Sequence, residues 1–130
     1  MILVDSCVLI DFTRSKAADA KLSHLFASLP VGVCGICRSE LLAGTRSKPE
    51  RFRLEVFLNR FDQIAIDEPV WDQVGDNLAA LRRAGVNVPF PDVALATVAI
   101  FGDLELWTRD AHFAQVQRVL PALSLFAEPP

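Results

Sequence analysis

The chain has 130 residues, 52% of them apolar and 22% charged, with a formal net charge of −3. That size and composition predict one packed domain over residues 1–130 and exclude a disordered chain. The mildly acidic balance gives no general basic footprint, so any nucleic-acid contact has to come from a local patch.

No apolar run reaches the ~20 residues of a membrane span. The first residues also lack the basic segment and longer apolar stretch of a secretory signal, so the expected location is cytoplasmic, with no membrane contact. Three cysteines, Cys7, Cys34 and Cys37, are an odd number that argues against a disulfide framework and fits reduced thiols.

In chain order, the apolar run 2–4 predicts a short buried strand that breaks on Asp5, with Ser6 as cap of a helix starting at Cys7. A polar break over 13–17 precedes an amphipathic helix over 18–29, ended by Pro30. A second strand is predicted over 31–34. A helix over 36–43 follows, with Gly44 as a left-handed C-terminal cap. Pro49 suits a helix start, and Phe52, Val56 and Phe57 extend that helix through Phe61.

Residues 63–66 predict a third strand. Val70, Val74, Leu78 and Leu81 recur at helical spacing in a long helix over 69–84 that Gly85 stops. After the rigid loop VNVPFP, Pro91 opens an almost wholly apolar helix, DVALATVAIF. Gly102 and Asp103 turn the chain into a fourth strand over 104–108. A helix over 111–119 and a short strand over 123–126 complete the pattern, and the tail 128–130 is expected to fray. Strands alternating with helices imply an α/β fold with a mostly parallel sheet covered on both faces.

Four acids stand out by position. Asp5 and Asp110 each follow a strand at its C-terminal end, where open α/β sheets bind ligands. Asp92 sits in the first turn of the apolar helix, and Glu40 shares a helix face with Ile36, Cys37 and Ala43. Taken singly, the three aspartates also suit helix capping, and Glu40 also suits pairing with Arg38 or Arg46 or turning outward. Their common edge of the sheet is what these readings leave unexplained. Converging carboxylates repel unless a cation sits among them, and hard oxygen donors select Mg²⁺ or Mn²⁺ over zinc.

The segments ILVDSCVLIDF, CRSELLAG, PDVALATVAI and LWTRDAHF, in that order, resemble the PIN-domain nucleases, and among them the VapC-type toxins of toxin–antitoxin pairs. The resemblance implies a PIN-like three-layer sandwich with strand order 3-2-1-4-5. It implies Asp5, Glu40, Asp92 and Asp110 as catalytic metal-binding carboxylates, with Ser6 and Thr108 as hydroxyl supports. Two departures are small: Ser6 stands where relatives often carry Thr, and the DVALATVAI run is less alanine-rich. The implied partners are an RNA substrate, a small antitoxin and a second copy of the chain.

Such a site favours phosphodiester hydrolysis by an activated water, leaving a 5′-phosphate and a 3′-hydroxyl. Metal-free RNA cleavage usually needs a positioned acid and base. The two histidines do not suit that role: His24 lies on a remote helix, and His112 is expected on a helix surface. The most basic window, 38–53, offers Arg38, Arg46, Lys48, Arg51 and Arg53 for phosphate, and Arg14 and Arg109 are further candidates. Trp107 is expected in the core.

The alternatives are a housekeeping RNA-processing nuclease of the same family, a thiol-redox protein using Cys34-Gly35-Ile36-Cys37, and a non-catalytic binding module. A phosphoacceptor receiver would need an acidic pair early and a late lysine. Asp5 has no acidic neighbour, and Arg109 stands where the lysine would be.

Overall fold

Ile2, Leu3 and Val4 are all buried, as a strand covered on both faces requires. They form β1 (Ile2–Val4), the centre of a five-stranded parallel sheet of order β3-β2-β1-β4-β5. The other strands are β2 (Val31–Cys34), β3 (Asp62–Ile64), β4 (Glu105–Trp107) and β5 (Ser124–Leu125). The helices are α1 (Ser6–Arg14), α2 (Ala20–Ser28), α3 (Gly35–Ala43), α4 (Lys48–Leu58), α5 (Glu68–Arg83), α6 (Phe90–Phe101) and α7 (Phe113–Val119). The computed structural model describes residues 1–15 and 19–130. Part of the polar break expected over 13–17, and Ala18 at the expected start of the second helix, lie outside the described residues.

The α/β class, the parallel sheet and the strand order agree with the sequence reading, and so does the apolar helix α6. Every residue of α6 from Val93 to Ala99 is buried, and Thr97 is accommodated by donating to the Val93 carbonyl at 2.7 Å while accepting from Asn77 at 3.0 Å. The core is continuous through β1, β4 and α6, with Trp107 fully buried between the rings of Phe26 and Phe126. Gly32 in β2 leaves room for the Ile64 side chain, which a methyl group there would strike. Among the described residues no helix is long and apolar enough to cross a membrane.

Several boundaries differ for local reasons. Asp5, not Ser6, caps α1, because its carboxylate accepts from the Ser6 amide and Ser6 is already helical. Gly44 is right-handed, with φ −84 and ψ −3. Positive φ falls instead on Gly85 and on Asp103, a residue type that tolerates it. The third strand starts earlier than expected, because Gly32 pairs with Asp62. Helix α4 stops at Leu58, where the Arg60 and Phe61 amides bond three residues back in a tight turn. Strand β4 is shorter at both ends, and Thr108 leaves the ladder to bond Asp5. Helix α7 starts at Phe113, since the Asp110 side chain draws the His112 amide into a turn.

Candidate active site

Register between β1 and β4 pairs Val4 with Trp107, so the residues that follow, Asp5 and Thr108, emerge side by side at the sheet's C-terminal edge. The Asp5 amide donates to the Trp107 carbonyl at 2.8 Å, which fixes this junction. Asp5 is buried at 5% exposure. Its Oδ1 accepts from the Ser6 amide at 2.7 Å and weakly from the Ser6 hydroxyl at 3.4 Å. Its Oδ2 accepts from the Thr108 hydroxyl at 2.8 Å and from the Cys7 thiol at 3.2 Å. A carboxylate with this many donors is held in one orientation.

Thr108 is the hinge between two of the acids. While its hydroxyl donates to Asp5, it accepts from the Asp110 amide at 3.0 Å. Ser6 and Thr108 therefore both hydrogen-bond to Asp5.

Asp92 and Asp110 meet through His112. One ring nitrogen, Nε2, lies 2.9 Å from Asp92 Oδ2, and the other, Nδ1, lies 2.7 Å from Asp110 Oδ1. The same Asp110 oxygen also accepts from the His112 amide at 3.1 Å. His112 is thus a bridge between two site carboxylates and not an idle helix-surface residue; it precedes α7 and stacks on Phe113. The signal available in the sequence was its position two residues after Asp110, where an Asx-type turn brings the chain back on itself.

Glu40 stands at the exposed rim of the cluster and not on the buried face of α3. Its carboxyl is nevertheless pushed above the usual range, first by partial desolvation and then by the charges of Asp5 and Asp92. Asp92 is also raised: desolvation dominates, Asp5 and Asp110 add to it, and the His112 contact opposes it. Asp5 thus acts on both Glu40 and Asp92, and Asp92 also acts on Glu40 and feels Asp110. Among the described residues none of the four is ion-paired with Lys or Arg.

The four carboxylates supply hard oxygen donors, which fit Mg²⁺ or Mn²⁺ by their chemistry. As placed, with Asp92 and Asp110 turned onto His112, no three His, Cys, Asp or Glu groups among the described residues stand close enough to hold one ion.

The thiols crowd the same carboxylate. The Cys37 thiol lies 4.0 Å from Asp5 Oδ1, and Cys7 Sγ accepts from the Arg109 amide at 3.3 Å. Burial pushes Cys7 up. The neighbouring Cys37 thiol brings Cys34 down to about 7, and Cys34 together with burial raises Cys37. Cys34 and Cys37 are both buried, and Cys37 and Cys7 serve as packing around Asp5.

The basic candidates separate sharply. Arg109 does not face the cluster as an available phosphate binder, because it is pinned to Asp11 at 2.9 Å and to Glu128 through two bonds at 2.7 and 2.8 Å. Glu128, also 3.5 Å from Lys21, is drawn down to about 2, chiefly by the Arg109 hydrogen bonds. The tail is therefore anchored at Glu128 and not frayed there. The buried Trp107 indole N–H lies near enough to lower Glu128 further, without a well-formed hydrogen bond.

Arg38 reaches Gln63 at 3.4 Å. Arg46 and Lys48 are exposed at the start of α4, where the Arg46 amide donates to Glu50 at 3.0 Å. Arg14 is exposed at the end of α1. His24 is exposed on α2, away from the acids.

The PIN domain family model matches residues 2–119. A curated relative, Ribonuclease VapC1 of Methanocaldococcus jannaschii, is 26% identical over 117 residues, covering 89% of this chain and 81% of the relative. Among solved structures, the DNA-bound VapBC of Salmonella typhimurium gives a TM-score of 0.80 at 20% identity, covering 96% of both chains. VapBC2 of Rickettsia felis, bound to a DNA fragment from its promoter, gives 0.77 at 22% identity, covering 97% of this chain and 98% of that one. At these identities the structural likenesses are in fold.

Proposed function

This chain belongs to the PIN-domain family, and on that premise we propose that it is an Mg²⁺- or Mn²⁺-dependent endoribonuclease, the toxin of a VapBC-type toxin–antitoxin pair. The observation that carries the reading is the set of four acids, Asp5 and Asp110 just past β1 and β4, Glu40 on α3 and Asp92 at the start of α6, without a Lys or Arg partner among the described residues and with Glu40 and Asp92 raised by their acidic neighbours. Such a cluster is costly to build into a fold unless a cation and a phosphate are to be bound there. The relative's name, a ribonuclease, directs the choice of RNA.

Asp5, Asp92 and Asp110 would hold the metal, with Glu40 at the rim. A divalent ion there supplies positive charge to a scissile phosphate and acidity to a water molecule. Thr108 and Ser6 keep Asp5 in one rotamer, and Thr108 fixes the spacing from Asp5 to Asp110. Glu40, at the rim of the cluster and with its carboxyl raised by partial desolvation and by Asp5 and Asp92, is suited to orient the attacking water. No protein nucleophile is needed, and the RNA 2′-hydroxyl takes no part, so the products are a 5′-phosphate and a 3′-hydroxyl.

The antitoxin and a second copy of the chain are the proposed protein partners, in a cytoplasmic setting. The exposed Phe52, Val56, Trp71, Phe90 and Phe101 offer the kind of apolar surface such partners cover. The test is RNA cleavage by the purified protein with Mn²⁺ or Mg²⁺. Ligatable 5′-phosphate ends are expected, with loss of cleavage in chelator and in Asp92→Asn at unchanged circular dichroism. Undiminished cleavage in chelator, or by a folded Asp92→Asn variant, would overturn the proposal.

A further inference from the structure

Three of the candidate cations have side-chain partners. Arg51 is bonded to Glu55 at 2.8 Å, Arg38 to Gln63, and Arg109 to Asp11 and Glu128. The side chains of Arg14, Arg46, Lys48 and Arg53 are left without a partner among the described residues, and of these Arg14 and Arg53 share a cleft. Both are exposed, and neither makes a hydrogen bond or ion pair with any described residue. They lie far apart in sequence, on α1 and α4, yet they line one cleft of about 520 Å³ between α1, α3 and α4. Glu40 of the acid cluster is on the wall of the same cleft, so this space runs into the candidate active site.

The lining is mixed in a way that discriminates between occupants. Leu41, Leu54 and Phe57 supply apolar surface, Arg14 and Arg53 two guanidinium forks, and Glu50 a second carboxylate beside Glu40. The volume is that of a small-molecule site, ~300–1,000 Å³. Guanidinium forks match phosphate oxygens bidentately. An acidic peptide would satisfy the arginines but would set its carboxylates against Glu40 and Glu50. A nucleotide brings anionic oxygens to the arginines, hydroxyl and amino donors to the glutamates, and a flat ring to the apolar wall.

We infer that this cleft is a subsite for the nucleotide flanking the scissile bond of a single-stranded RNA, with Arg14 and Arg53 clamping its phosphate. The inference rests on the proposed nuclease activity and names two residues that bind substrate without touching the reacting atoms.

The experiment measures binding of a fluorescent 12-nucleotide RNA in chelator, over a range of salt, alongside steady-state cleavage with Mn²⁺. Arg14→Ala and Arg53→Ala should each weaken binding roughly tenfold, as loss of a charge-assisted hydrogen bond does. The double variant should flatten the plot of log affinity against log salt by about 0.7, the value for one single-strand phosphate no longer neutralised. KM should rise by a similar factor while kcat stays within about twofold. Arg83→Ala, on the far end of α5, should change nothing.

RNA affinity and salt slope unchanged in the double variant, with wild-type cleavage intact, overturn the subsite. So does a Glu-rich peptide that binds more tightly than RNA and loses that binding in the double variant. Arginine-dependent RNA binding without any cleavage would retain the subsite and overturn only the nuclease reading. Since both arginines are exposed, the variants should keep the wild-type melting temperature, and Arg14→Gln with Arg53→Gln provides a second pair should either alanine variant unfold.

Discussion

Replacing Asp5 with Asn separates what the carboxylate does for folding from what it does for chemistry. As cap of α1, Asp5 accepts the Ser6 amide at 2.7 Å, a bond that an Asn carbonyl oxygen makes equally well. At the other oxygen, the Thr108 hydroxyl now donates at 2.8 Å; facing an amide NH₂ it would have to rotate and accept. It already accepts from the Asp110 amide, and a hydroxyl has a second lone pair for this. The Cys7 thiol, which donates to the same oxygen at 3.2 Å, likewise faces the NH₂ and has to turn away; with the Thr108 bond weakened from charge-assisted to neutral, the cost is about 1 kcal/mol.

Against that cost stands the removal of a negative charge that raises both Glu40 and Asp92. The metal-free variant should therefore match the wild type within ~1 kcal/mol, or about 4 °C in melting temperature for a chain of this size. With Mn²⁺ at a hundredfold excess over its dissociation constant, the wild type should gain about 2.7 kcal/mol, roughly 10 °C, and the variant much less. Loss of one metal ligand forfeits several kcal/mol of charge stabilisation, so RNA cleavage should fall at least ~100-fold. Calorimetry with and without Mn²⁺, paired with a cleavage assay, reads both quantities. A variant that cleaves within tenfold of wild type, or gains the same stabilisation from Mn²⁺, would refute the role assigned to Asp5.

What the sequence made readable, and what it hid, divides along sequence distance. The ILV run ending on Asp5 is a local pattern, and a buried strand followed by a polar residue puts that residue at the sheet edge whatever else the chain does. Alternation of strands and helices similarly carries the parallel sheet, and four motifs in order carry the strand order. Asp5 and Thr108 could be brought together because both sit at strand ends whose neighbours follow from that topology.

The features that were missed depend on which side chain fills the space between elements. His112 bridges Asp92 and Asp110 only because a turn at Asp110 delays α7, and no periodicity reports a turn of that kind. Arg109 has the sequence position of a phosphate binder, beside Asp110, but its charge is consumed by Asp11 and by Glu128 of the tail. Conversely, Arg53 is one basic residue among several until the packing of α1 on α3 and of α3 on α4 sets it across a cleft from Arg14. Composition counts charges, and only the fold says which of them are already paired.

Two further perturbations test the supporting contacts. Thr108→Val should cost about 1 kcal/mol in denaturant unfolding, because it removes the hydroxyl from the solvent-exposed Asp110 amide and leaves the buried Asp5 Oδ2 with the Cys7 thiol alone. It should lower cleavage 10–100-fold, as loss of an outer support to a metal ligand does; Thr108→Ser should restore most of both, and a Val variant with wild-type kinetics would show that the hydroxyl is dispensable. The second concerns the tail. Glu128 is depressed in the folded chain to about 2 from an ordinary 4.5, so its contribution to stability is complete above about 4.5 and is lost as pH falls through 2. Its partner Arg109 has a side chain 32% exposed, so solvent screening holds the contribution to about 1 kcal/mol. Glu128→Gln should therefore destabilise by about that amount at pH 6 and by visibly less at pH 3, where the unfolded chain already carries the proton and the native ion pair does not. A difference between wild type and variant that stays constant from pH 6 to pH 3 would mean that Glu128 anchors the tail by packing alone, without its charge.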